Sequence, residues 1–134
     1  MSTSETITRT DLANILNEVL PNTSVDYIVE QGTSGIWTYR KWNSGNLEAW
    51  GYDSQSWANT TALASHYYGQ KSYTISALGF TAISNIQVTG EAKGYYIATK
   101  VEEQSTSTIK LTALSAASDT RTIVHSIYIK GTWK

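Results

Sequence analysis

The sequence predicts a mainly β protein: an antiparallel β-sandwich preceded by one short N-terminal helix. Three observations predict it. Strand-like runs recur every ten or so residues and are punctuated by Gly, Asn and Ser, the spacing of a sandwich or barrel. The chain carries 16 Ser and 19 Thr, and Thr is β-branched and suits a pleated, half-exposed surface. Only the segment before Pro21 shows a helical period.

That segment reads as follows. Residues 1–9 are a polar lead. Thr10 or Asp11 caps a helix in which Leu12, Ile15, Leu16, Val19 and Leu20 share one face, and Pro21 ends it. About three turns of helix are marginal alone in water, so the apolar stripe must dock. It can dock on its own sheet, or serve as a trimerisation or anchoring element.

Beyond Pro21 the strands are expected at 25–30, 36–42 and 47–52, with a tight turn at Asn43-Ser44-Gly45-Asn46 joining the last two. Trp42, Leu47 and Trp50 are expected to cluster across that hairpin. Residues 53–60 read as a polar loop containing Trp57. Further strands are expected at 62–68, 71–76, 84–89, 95–102, 108–115 and 121–133. In the last, Ile123, His125, Ile127 and Ile129 face one way, and Val124, Ser126, Tyr128 and Lys130 the other. The organisation expected is a lead and helix over 1–21, a β-hairpin module over 22–60 and a C-terminal sandwich over 61–134.

Composition limits function. The 134 residues carry a net charge of −1, and only 16% are charged, against roughly 25% in typical soluble domains. This leaves no basic footprint for nucleic acid. No apolar run of 18 residues occurs, so no membrane insertion is expected. There is no Cys, which excludes disulfides. The polar start Met1–Thr6 lacks the features of a signal peptide.

Catalytic and metal constellations are not expected. His66 and His125 lie outside any zinc-binding spacing, and His125 sits where a core histidine belongs. Glu102 and Glu103 are adjacent and do not converge, so they do not form the carboxylate pair of a glycosidase. Glu48 faces Arg40 and Lys41 across the hairpin and reads as an ion-pair partner. Neither a cofactor, a metal site nor an enzymatic activity is expected.

Aromatics are the candidate ligand-binding groups. Five Trp and nine Tyr stand against one Phe. Each has an apolar ring and a polar tip, which suits stacking on a sugar or packing in an interface. Trp57, among Asp53, Ser54, Gln55, Ser56 and Asn59, has the most sugar-like setting. Tyr67 and Tyr68, beside His66, and Tyr95 and Tyr96, beside Gly94, are the other candidates.

The stretch Asp26–Gly45, with its core VEQGTSGIWTYRKWNSG, followed by Glu48 and Trp50-Gly51, resembles a segment of bacteriophage tail-fibre and related virion proteins. The closing Gly131-Thr132-Trp133 resembles the end of their C-terminal β domain, a sandwich of the jelly-roll or H-type-lectin kind. The resemblance implies a virion appendage: a fibre tip that acts as a receptor-binding adhesin, or a head-fibre or decoration protein attached through the helix. It implies a homotrimer, other virion proteins as partners, and a host cell-surface glycan as ligand. The chain then reads either as an excised tip or as a complete small virion protein.

Overall fold

The computed structural model describes residues 25–134. The expected helix, with Leu12, Ile15, Leu16, Val19 and Leu20, lies outside the described residues. Nine strands follow in order: β1 Ile28–Ser34, β2 Trp37–Trp42, β3 Asn46–Asn59, β4 Thr61–Leu63, β5 His66–Thr74, β6 Ala82–Glu91, β7 Ile97–Gln104, β8 Thr108–Ser115 and β9 Asp119–Thr132. They form two antiparallel sheets, β1-β2-β3-β9-β6 and β4-β5-β8-β7. The mainly β sandwich expected from the sequence is the fold observed.

The connections explain the layering. β6 pairs with β9 in one sheet, and β7 pairs with β8 in the other. The four strands are therefore one long antiparallel ribbon folded over both layers. β3 pairs with β9 along its whole length, from Asn46↔Thr132 to Asn59↔Asp119. Residues 25–60 and 61–134 thus share a sheet, and the core draws on both.

Alternation decides which residues enter the core. Leu47 and Ala49 of β3 and Ile123, Ile127 and Ile129 of β9 point inward and are essentially excluded from solvent. Ile109, Leu111 and Ala113 of β8 meet them from the other sheet. Ile75, Leu78 and Phe80, around a single 3-10 turn at Ser76–Leu78, close the side of the core.

Three local expectations differ from what is observed. Residues 53–60 are not a loop: β3 runs on through Asn59, burying Asp53, Trp57 and Asn59 while Ser54, Ser56 and Ala58 face water. Two inward polar residues disguise the strand. Residues 62–68 are not one strand but a hairpin of β4 and β5, turned at Ala64, whose φ is 52°. Leu47 does not join Trp42 and Trp50, because Leu47 faces inward while Trp50 lies on the opposite face of β3.

One inward layer is polar. Asp53 and His125 are cross-strand partners between β3 and β9. The Tyr73 hydroxyl of β5 donates to Asp53 Oδ2 at 2.7 Å. His125 Nε2 lies 3.1 Å from the Thr99 hydroxyl of β7. Both bonds cross from one sheet to the other. Gly90 is required beside the second: a Cβ there would stand 2.4 Å from Thr99 Oγ1 and 2.8 Å from His125 Nε2. The Trp57 ring rests on the His125 ring, 4.8 Å between centroids. Burial, and then the bond to Asp53, raises the Tyr73 phenol well above its ordinary range.

Burial also pushes the His125 imidazole below its ordinary value, although the Asp53 charge opposes this. The unfolded chain therefore takes up a proton at His125 before the folded one does. Stability is complete above the unfolded His value, about 6.5, and falls as pH drops toward the folded value, by at most about 1.4 kcal/mol per pH unit. Asp26 and Glu102, both held below their ordinary values, act in a lower window, beneath about pH 4.5. Thermal melts of the wild type should lose midpoint between pH 7 and 5, and His125→Gln should flatten that slope. An unchanged slope in the variant would contradict the assignment.

Trp57→Ala removes the largest fully buried side chain. It should cost about 3–5 kcal/mol in denaturant unfolding. A loss below about 1 kcal/mol would show that Trp57 is not the packing residue described.

Candidate functional site

The five aromatic residues singled out in the sequence all lie toward one end of the sandwich. β3, β6 and β8 end there, and β5, β7 and β9 begin there. The opposite end holds both residue 25 and the C-terminus: Asn43 N donates to Tyr27 O, and Trp133 N to Gly45 O. The end is shared, but the five do not form one concave site.

Trp57 is 1% exposed, so no ligand can stack on it. Tyr67 is half-buried and pairs with Ser115. Tyr68 faces outward from the four-stranded sheet, where Leu63, Gln70, Lys100 and Glu102 lie around it. Tyr95 carries Arg121 on one face of its ring, the guanidinium carbon 3.2 Å from the centroid and itself held by Asp119, and the residue is otherwise 57% exposed. Tyr96 is fully exposed. Tyr68 and the Tyr95–Tyr96 pair therefore address different surfaces.

The better-formed site is one the sequence reading left to packing. Residues paired across antiparallel strands share a face, so register defines rows on the outer face of the five-stranded sheet. One row, from β2 through β3 and β9 to β6, is Thr38, Trp50, Tyr128 and Gln87. The next row is Tyr52, Ser126 and Thr89, with Ile36 at its side. The row on the other side is Arg40, Glu48, Lys130 and Asn85. The first two rows line a groove of about 420 Å³. Tyr52 is 63% exposed on its wall.

Two of its rings are fixed in place. The Arg40 guanidinium lies 5.1 Å from the Trp50 ring centroid, within cation–π range. The Tyr128 hydroxyl donates to Glu48 Oε2 at 2.9 Å, and Arg40 lies 3.9 Å from Glu48. One ion pair thus steadies the indole and the phenol together. The ion pair expected between Glu48 and Arg40 is present; Lys41 instead pairs with Glu30 at 3.0 Å.

Apart from phenols, no described residue of the groove lining carries a titratable side chain; hydroxyls of Thr38, Thr89 and Ser126 and the amide of Gln87 surround the rings. Such a surface offers ring faces for stacking and short polar groups for hydrogen bonds, without a fixed charge to neutralise. The signal for it was present in the sequence. Glu48, Trp50 and Tyr52 alternate with Leu47, Ala49 and Gly51, and Tyr128 stands opposite the isoleucine face of β9.

His125, Asp53 and Thr99 bring an acid, an imidazole and a hydroxyl into one layer, but His125 is fully buried between the sheets. Its bond to Thr99 links strands, and no substrate can reach its ring. Glu102 is engaged by Lys100 at 3.0 Å and by the Thr112 hydroxyl at 2.9 Å, while Glu103 lies 3.9 Å from Lys110.

Burial, and then the bond to Glu48, raises the Tyr128 phenol above its ordinary value of 10. Glu48→Gln removes the carboxylate charge and should bring the Tyr128 titration down toward 10. Ultraviolet titration of the phenol signals, assigned by a Tyr128→Phe control, reads this out. A Tyr128 titration that stays put or rises would contradict the described bond.

No family model and no curated protein matches the chain. Solved structures do. A P. aeruginosa R1 pyocin fibre structure comprising C-terminal residues 323–701 matches with a TM-score of 0.62 at 10% identity, over 89% of this chain and 31% of that one. An N-truncated R1-type pyocin tail fibre matches with a TM-score of 0.61 at 9% identity, over 97% of this chain and 99% of that one. The chain spans about a third of the first structure and nearly all of the second. At such identities the likeness is one of fold: this sandwich has the architecture found in R1-type pyocin tail fibres.

Proposed function

We propose that the chain is a tail-fibre-type virion appendage domain that binds a host-surface glycan and works by binding rather than by catalysis. The observation that carries this reading is the groove over Trp50, Tyr52 and Tyr128. Two rings, held by Arg40 and Glu48 beside the groove, stand among hydroxyls and an amide, and among the described residues the groove lining itself carries no carboxylate or ammonium. That chemistry matches an uncharged pyranose, with its apolar ring face and hydroxylated edge. The likeness in fold to pyocin tail fibres supports the appendage role. In the virion, several copies compensate for weak binding at each site, and a homotrimer supplies three.

The test is an array of bacterial surface oligosaccharides probed with wild-type protein, Trp50→Ala and Tyr52→Ala. Tyr52 is exposed enough that its loss should leave folding intact, checked by circular dichroism. The wild type should bind a defined glycan class, and each variant should bind at least about tenfold more weakly, a loss of about 1.4 kcal/mol. Absence of wild-type binding, or binding indifferent to both variants, would overturn the reading.

A further inference from the structure

We infer that the groove continues past Tyr128 into a second, charged subsite, so that its ligand is an extended oligosaccharide lying along the strands rather than a single terminal sugar. This rests on the glycan reading above. A second concavity, of about 240 Å³, adjoins the groove and shares Tyr128 with it. Asp26, Trp42, Asn46, Glu48 and Lys130 line it with Tyr128. The two subsites are therefore contiguous, with one aromatic ring common to both.

Their chemistry differs. The first is neutral. In the second, both carboxylates are already engaged. Asp26 accepts from the backbone and hydroxyl of Ser44 and from Tyr27 N, and these bonds, the Ser44 hydroxyl foremost, hold its carboxyl below its ordinary value. Glu48 accepts from Tyr128 and faces Arg40. Lys130 is exposed and has no ion-pair partner among the described residues. Its ammonium is free for a charge-assisted hydrogen bond to a sugar oxygen. Trp42 supplies the apolar wall.

The distance fits a chain of sugars. From Tyr52 to Asn46 along β3 the face spans six residue steps, about 20 Å at the rise of an antiparallel strand. That is longer than one pyranose ring.

The experiment takes a length ladder of the array-positive bacterial polysaccharide, from the disaccharide upward, and measures affinity by calorimetry. Wild-type affinity should rise at least fivefold from the disaccharide to the longer members. Trp42→Ala and Lys130→Ala should each remove that rise and leave disaccharide binding unchanged. Lys130 is exposed, so its variant should fold even if Trp42→Ala does not. Affinity that levels off at the disaccharide, or a rise that survives Lys130→Ala, overturns the second subsite while the glycan reading stands. No binding at any length overturns both.

Discussion

The ladder between β3 and β9 is the constraint on which the rest of the structure depends. Both strands are 14 residues long, and they pair without a break. Because side chains alternate with a period of two, that single register assigns every residue of both strands to the core or to the outside. It places Leu47, Ala49 and Trp57 with Ile123, Ile127 and Ile129 inside. It places Glu48, Trp50 and Tyr52 with Ser126, Tyr128 and Lys130 outside. A slip of one residue would put indoles and phenols in the core and aliphatics in water. Core and candidate site are thus two sides of one pairing.

The polar layer around Asp53 and His125 belongs to the same register. A buried carboxylate and a buried imidazole nitrogen are costly unless bonded, and Asp53 Oδ2 and His125 Nε2 each find a partner on the opposite sheet, Tyr73 and Thr99. Apolar packing holds the sheets together. These directional bonds fix how one sheet sits over the other. The Arg40–Glu48 pair plays a comparable part on the surface, where it orients Trp50 and Tyr128 before any ligand arrives. A site whose rings are held in advance loses less entropy on binding.

Much of the fold was legible in the sequence. The alternation in β8 and β9, the Asn43–Gly45 turn and the buried place of His125 follow from period and turn chemistry, and the structure has them. The second half of β3 was not legible, because Asp53 and Asn59 point inward and mimic a loop. Their partners, Tyr73 and Ser115, lie far along the chain. For the same reason Trp57 read as a ligand platform when it is a core residue. The candidate site was half legible. Its residues alternate correctly, but Trp50 and Tyr128 are 78 positions apart, and only the β3–β9 register makes them neighbours.

The proposed ligand surface is the outer face of the five-stranded sheet. Nuclear magnetic resonance of the tryptophan indole N–H groups tests it most directly, since the five indoles occupy distinct places in the fold. With an array-positive glycan added, the Trp50 indole signal should shift, while those of the buried Trp37 and Trp57 stay in place. A Trp50 signal that stays fixed while residues around Tyr95 and Tyr96 respond would contradict the account and move the site to the end of the sandwich.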